Sequence, residues 1–163
     1  MLVKHLPSFL LPLTALVIIP FGIESNFAVT VDGESIIGAF LVLAGLIVLA
    51  ATASLFIRFG EGTIAPWSPT RRLVVKGPYR YVRNPMITGV LSVLLGETLA
   101  FHSVPILIWL VSFFVINNIY FFFLEEPGLV KRFGDDYVQY ARNVPRWIPR
   151  MKPWNIDNKD AMG

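Results

Sequence analysis

The chain has 163 residues, of which 55% are hydrophobic and only 15% are charged, and this composition excludes an ordinary soluble domain. We expect one integral membrane domain spanning residues 1–163. The absence of cysteine excludes disulfides, thiol nucleophiles and thiolate metal sites, and the two histidines, His5 and His102, are expected on opposite membrane sides, so no metal is predicted.

Four apolar segments are each close to the roughly 17–25 residues that cross a bilayer as a helix. They predict an all-α integral membrane fold with about four transmembrane helices, the third being the shortest. The first segment contains Pro12 and Pro20 and no cleavage site follows it, so a retained, kinked helix is favoured over a signal peptide. The segments are approximately residues 6–23, 36–59, 86–102 and 104–124.

The net charge of +3 is unevenly distributed along the chain. Lys and Arg occur at the N-terminal end, at Arg58 and in the following loop 60–85, and in the tail 125–163, whereas residues 24–35 and the turn 103–105 have none. With four spans, the positive-inside rule places both termini, the loop and the tail in the cytoplasm, at the inner membrane if the protein is bacterial. Contacts with lipid head groups, rather than with nucleic acid, explain these basic residues.

Small residues mark the second and third spans. Gly38 and Gly45 in the second span predict a helix-packing face, with a substrate groove as the alternative. In the third span, Gly89 and Gly96 predict close packing against either a helix or a flat ligand. The acid Glu97 has either a structural role, protonated or bonded to Thr98 or a neighbouring helix, or a functional one.

The third and fourth spans predict a helical hairpin that turns at residues 103–105. Counting outward from the turn places Arg83 level with Leu124, so that Arg83-Asn84-Pro85 and Glu125-Glu126 meet at one membrane rim. The same count places Asn118 level with Gly89. Pro85 suits a first helical turn, Asn84 is a plausible N-cap, and the helix start favours an anionic group.

The tail after Pro127-Gly128 predicts an amphipathic helix. Its apolar face predicts either an interfacial helix on the bilayer or a cover over the rim. Pro145 and Pro149 end this helix, and residues from Lys152 onward are expected to be loosely ordered. The face is formed by Phe133, Tyr137, Tyr140 and Val144.

The predicted rim suits a zwitterionic cofactor better than a catalytic triad, a Walker-type loop or a metal. Carboxylates would bind an ammonium and ribose hydroxyls, arginines and the helix start a carboxylate, and aromatic rings a purine or a sulfonium. The groups concerned are Arg80, Arg83, Asn84, Glu125, Glu126, Tyr137 and Arg146.

Over residues 70–150 the chain resembles the isoprenylcysteine carboxyl methyltransferase and phospholipid methyltransferase superfamily. The matching motifs are Gly77-Pro78-Tyr79-Arg80, Arg83-Asn84-Pro85-Met86 with Gly89, Glu125-Glu126, Phe133-Gly134 with Tyr137 and Tyr140, Val144-Pro145-Arg146 and Ile148-Pro149. Two positions depart from the superfamily pattern: Asn84 stands where the superfamily has His, so imidazole chemistry is not carried over, and Ile87 replaces an aromatic residue that is often found there.

The resemblance implies that S-adenosylmethionine binds at the cytosolic ends of the last helices, enclosed by the C-terminal segment. It implies Arg146 and Glu126 as catalytic residues. The cofactor-binding residues that it implies are Tyr79, Arg83, Asn84, Pro85, Met86, Gly89, Glu125, Glu126, Tyr137 and Tyr140.

The expected reaction is in-line methyl transfer to a lipophilic acceptor that enters from the bilayer between the second and fourth helices. An acceptor carboxylate would be oriented by Arg146, whereas a lipid amine would lose its proton to Glu126. The alternatives are an NADPH-dependent membrane reductase of the sterol-reductase type and a non-catalytic membrane scaffold. The sequence leaves the acceptor and the oligomeric state open.

Overall fold

The computed structural model describes residues 13–25, 27–28, 31–59 and 73–155, and this part of the chain is helical without strands. Residues 6–12 of the first predicted span, residues 60–72 of the loop 60–85 and residues 156–163 of the tail lie outside the described residues. Besides a short 3₁₀ turn at Gly77–Arg80, the helices are α1 (Thr14–Ile23), α2 (Gly33–Phe59), α3 (Pro85–Phe101), α4 (Val104–Phe133) and α5 (Asp135–Asn143).

Two of these helices are long and apolar enough to cross a membrane: α2 over Gly33–Leu55 and α4 over Val104–Phe133. The helices α1 and α3 are shorter apolar helices. The 17 residues of α3 rise about 25 Å, slightly less than a hydrocarbon core of about 30 Å. The all-helical class is therefore confirmed for the described residues, and the two long apolar helices are consistent with a membrane protein, whereas the count of four complete spans stays a prediction.

Glycines hold α2 and α3 in backbone contact. A Cβ atom added to Gly38 would lie 2.6 Å from the carbonyl oxygen of Gly96, and one added to Gly45 would lie 2.6 Å from that of Gly89. The Ser92 hydroxyl donates to the carbonyl of Leu41 across the same interface at 2.9 Å. The small residues of both helices thus serve helix packing, which was one of the two predicted roles; the other was contact with a substrate or a flat ligand.

The hairpin between α3 and α4 turns within one residue of the predicted position. His102 ends α3 in the left-handed region with φ of 49°, and the hydroxyl of Ser103 caps α4 by accepting from the amide of Ile106 at 3.2 Å. Helix α1 packs onto this hairpin, where the indole of Trp109 donates to the carbonyl of Ala15 at 3.0 Å. Leu94 and Ile106 are completely buried in the resulting core.

Helix α4 does not end at Leu124 as predicted. A π turn, with hydrogen bonds from residue i to i+5, covers Phe121–Glu125, and the helix then continues through Pro127 to Phe133. Proline in a helix interior normally breaks the hydrogen-bond ladder. Here Pro127 lies in the first α-helical turn after the π turn, where the ladder is already interrupted, so the helix tolerates it.

Candidate active site at the membrane rim

Four polar side chains from three separated segments meet where α3 begins, and we call them the rim cluster: Arg83, Glu126, Tyr137 and Arg146. Arg83 Nη1 donates to Glu126 Oε1 at 2.8 Å and to the Tyr137 hydroxyl at 3.4 Å. Arg146 binds the same carboxylate with two bonds, Nε to Oε1 at 2.8 Å and Nη2 to Oε2 at 2.6 Å. The predicted meeting of the Arg-Asn-Pro and Glu-Glu motifs is therefore observed.

The π turn determines which of the two glutamates joins the rim cluster. Phe114, Asn118 and Phe121 share one face of α4, and that face contacts Trp147 of the tail. A regular helix would next present Glu125, four residues after Phe121, on this face. Because the π turn adds one residue, Glu126 takes that place and Glu125 lies beside the Tyr120 hydroxyl.

Backbone hydrogen bonds hold the C-terminal segment against the residues that precede α3. The amide of Arg83 donates to the carbonyl of Pro145 at 2.9 Å, which places Arg146 next to the start of α3. Further along, the amide of Trp154 donates to the carbonyl of Arg80 at 2.9 Å, and the Trp154 side chain is buried. The segment is thus ordered at least to Trp154, and the prediction of loose order from Lys152 onward was wrong for these residues.

The apolar face of α5 packs on the protein and not on lipid. Tyr137, Tyr140 and Val144 are 4%, 3% and 0% exposed, in a cluster with Trp154 and partly buried Phe133. The predicted face is confirmed, and its burial favours the cover over the interfacial helix. The amphipathic pattern has its partner within the chain, so α5 has no free apolar face to lay on the bilayer.

Tyrosine hydroxyls connect this cover to the rim. The Tyr140 hydroxyl donates to the carbonyl of Tyr79 at 2.7 Å. Burial raises the pKa of Tyr140 and of Tyr79, and burial followed by the Glu126 carboxylate raises the pKa of Tyr137. All three therefore remain protonated near neutral pH, as hydrogen-bond donors and not as bases.

Other predicted site residues lie apart from the rim cluster or act through the backbone. Pro85 occupies the first turn of α3 as predicted, but the side chain of Asn84 at the N-cap position makes no capping hydrogen bond. Instead, the backbone carbonyl of Asn84 accepts from both the amide and the hydroxyl of Thr88, each at 3.0 Å. Met86 follows in the first turn of α3. Gly89 faces α2, and Leu49 and Gly45 occupy the space beside it that a side chain would need.

Asn118 does not face Gly89, although the hairpin count places the two residues at the same depth. Its amide nitrogen donates to the carbonyl of Phe114 at 3.3 Å, and its oxygen accepts from the indole of Trp147 at 3.0 Å. The count fixed depth along the hairpin but not rotation about the α4 axis. Trp147 was thereby missed as the residue that attaches the tail to α4, although an amide in an apolar helix signals a polar partner.

A Trp147→Ala change is expected to loosen the cover. Loss of the indole hydrogen bond and of the rings packed on Phe114 and Phe121 should lower the free energy of opening by about 2 kcal/mol. Amide hydrogen exchange over residues 135–155 should then accelerate roughly 30-fold. Ile148→Ala is the control, since that side chain is 79% exposed. Equal exchange in the two variants would contradict the attachment.

The rim cluster also contains an unused donor. The Nε atom of Arg83 is buried and has no hydrogen-bond partner among the described residues. A buried guanidinium N–H without a partner is costly, so this position calls for an acceptor, which water, an ion or a ligand can provide. The side chains of Arg83, Glu126 and Arg146 are 13%, 19% and 21% exposed, so a ligand here would be bound largely out of water.

One comparison with known proteins bears on this arrangement. A family model described as phospholipid methyltransferase matches residues 34–136, well over half of the chain. No curated protein and no solved structure matches the chain. The matched range runs from the start of α2 into the first turn of α5, so it contains Arg83 and Glu126 and ends just before Tyr137.

Proposed function

The chain belongs to the phospholipid methyltransferase family, and we propose that it transfers the methyl group of S-adenosylmethionine to a lipophilic acceptor at the rim cluster. The family makes it a membrane methyltransferase. Our proposal adds four things to this family assignment: the cofactor, the acceptor, the roles of the named site residues, and the cytoplasmic orientation of the rim and both termini. The observation that carries the proposal is the meeting of Arg83, Glu126 and Arg146 at the start of α3.

The rim cluster has the groups that the amino-acid part of the cofactor requires. The partnerless Nε of Arg83 would donate to the cofactor carboxylate, and the start of the 17-residue α3 adds favourable potential there. Glu126 supplies carboxylate oxygens for the ammonium or the ribose hydroxyls. When bound, S-adenosylmethionine supplies an electrophilic methyl group on its sulfonium. The residues present therefore fit the cofactor.

The Arg146–Glu126 pair must open for the acceptor to bind. Both oxygens of Glu126 already accept from guanidinium groups, and Arg146 uses both Nε and Nη2 on this carboxylate. An acceptor carboxylate oriented by Arg146 would replace Glu126 on that guanidinium. An acceptor amine that gives its proton to Glu126 would need the same release, so one exchange serves either acceptor class.

The acceptor would reach Arg146 along the lipid side of α4. Phe122 and Phe123 are 60% and 67% exposed at the level of the rim cluster, and the guanidinium of Arg146 lies 6.0 Å from the centre of the Phe122 ring. A lipid chain lying on these rings would present its polar end to Arg146. Entry along α4 is a more specific form of the expected entry between the second and fourth helices.

The test measures methyl transfer by the full-length protein in nanodiscs. Label from the methyl group of S-adenosylmethionine should enter the lipid fraction, with a prenylcysteine analogue and an aminophospholipid as separate acceptors. Arg146→Lys should lower turnover at least tenfold because lysine cannot form the two-bond contact. Arg142→Lys on the exposed side of α5 should leave it unchanged.

Binding measurements decide between the methyltransferase and its rivals. Calorimetry should show saturable binding of S-adenosylhomocysteine and none of NADPH. Binding of NADPH alone would replace the proposal with a reductase, and binding of neither compound would favour the non-catalytic scaffold. Tight S-adenosylhomocysteine binding without transfer to either acceptor would reject the proposed acceptors while keeping the cofactor.

A further inference from the structure

A second polar feature lies far from the rim cluster, around Glu97 in α3. Glu97 follows Pro85 by twelve residues, which corresponds to about 18 Å along the helix axis. It borders a cavity of about 220 Å³ between α1, α2 and α3. The lining includes Leu16, Pro20, Phe27, Val42, Ala100 and Phe101.

The carboxyl group of Glu97 lacks the partner that the sequence suggested. The hydroxyl of Thr98 donates to the carbonyl of Leu94 at 2.8 Å instead. The Oε2 atom of Glu97 is buried and makes no hydrogen bond within the described part of the chain. A buried water needs two to four polar partners, and among the described residues that line this cavity Glu97 has the one polar side chain. Water alone therefore satisfies the carboxyl group poorly.

The walls of the cavity indicate which kind of ligand would form a hydrogen bond with the Glu97 carboxyl group. The rings of Phe21 and Phe27 have centroids 4.6 Å apart, and those of Phe27 and Phe101 are 5.1 Å apart in an edge-to-face contact. These three rings line the cavity together with Glu97. Aromatic faces attract organic cations, and a carboxylate forms a charge-assisted hydrogen bond with an ammonium N–H.

From the partnerless Oε2 atom of Glu97 and the aromatic walls of this cavity, we propose that Glu97 and the rings of Phe21, Phe27 and Phe101 form a binding site for a lipophilic primary amine. An engineered apolar cavity of about 150 Å³ holds benzene, so 220 Å³ accommodates a ring or short chain with an attached ammonium. Because the site is about 18 Å from the start of α3, the amine bound here is not the group that is methylated at the rim cluster.

Benzylamine tests the site against ethylbenzene, which has the same shape without the amine. In phosphatidylcholine nanodiscs, the full-length protein should bind benzylamine saturably, and Glu97→Gln should weaken that binding at least tenfold. Ethylbenzene should bind the wild type and Glu97→Gln equally. Methyl transfer should be unchanged in Glu97→Gln, so failure here is distinguishable from failure of the proposed function.

Two outcomes overturn the proposal: no saturable benzylamine binding, or equal benzylamine binding by the wild type and Glu97→Gln. Infrared spectra of the wild type keep the proposal testable if the variant does not fold, because benzylamine but not ethylbenzene should shift the carboxyl band of Glu97. An unshifted band rejects the contact. Competition by phosphatidylethanolamine in the nanodisc would identify a lipid head group as the natural amine, and binding without competition a free amine.

Discussion

Glu126→Gln is expected to lower the affinity for S-adenosylhomocysteine at least tenfold. The change removes the negative charge that faces Arg83 and Arg146, and an amide offers one acceptor oxygen where the carboxylate accepts three bonds. Hydrogen bonds between charged groups contribute about 1.5–3 kcal/mol each, so loss of one corresponds to tenfold or more. Calorimetry with S-adenosylhomocysteine measures the effect.

The same change at the neighbouring Glu125 tests whether the observed geometry, and not merely membership of the Glu-Glu motif, determines the effect on cofactor affinity. Glu125 lies beside Tyr120 and not among the arginines, so Glu125→Gln should lower the affinity less than Glu126→Gln. Glu34→Gln near the other end of the helices is the unaffected control, since that acid lies beside His102. A larger loss for Glu125→Gln than for Glu126→Gln would show that the π turn does not determine which glutamate is used.

Gly96→Ala is expected to destabilise the helix pair that carries the site. The added Cβ would lie 2.5 Å from the carbonyl oxygen of Gly38 and 2.8 Å from the amide nitrogen of Val42, well inside ordinary contact distance. Because both atoms belong to the backbone of α2, the two helices must separate. Overpacking of this kind costs about 1–3 kcal/mol, or roughly 4–8 °C in melting temperature for a cost near 2 kcal/mol.

Gly22→Ala is the matched control for that prediction. No described atom lies within 4 Å of a Cβ added to Gly22, so the same methyl group meets open space. Thermal unfolding in detergent should give a clear loss for Gly96→Ala and little change for Gly22→Ala. Equal melting temperatures of Gly96→Ala and the wild type would contradict backbone contact between α2 and α3.

The sequence predicted the parts of this protein that depend on linear spacing. The turn near Ser103 and the proline at the start of α3 follow from local residue chemistry, and the hairpin count then brought Arg83 to the glutamates. The apolar face of α5 was likewise readable from its periodicity. Each of these inferences requires only position along an axis or the repeat of a single helix.

Other features depend on rotation and on distant partners, which spacing does not contain. The π turn at Phe121–Glu125 shifts the face of α4 by one residue, so Glu126 and not Glu125 joins the rim cluster. Likewise, Gly89 matches a site motif in the sequence yet faces Gly45 of α2 in the fold.

Local sequence therefore determined the helices, the hairpin and the family of this protein, because helix-forming and apolar patterns act over a few residues. Only the tertiary structure decided which carboxylate the two arginines share, what the face of α5 covers and that the buried Oε2 atom of Glu97 has no hydrogen-bond partner among the described residues. These outcomes are set by side-chain direction and by hydrogen bonds between residues such as Arg83 and Pro145, 62 positions apart, whose energies appear only when the chain is folded.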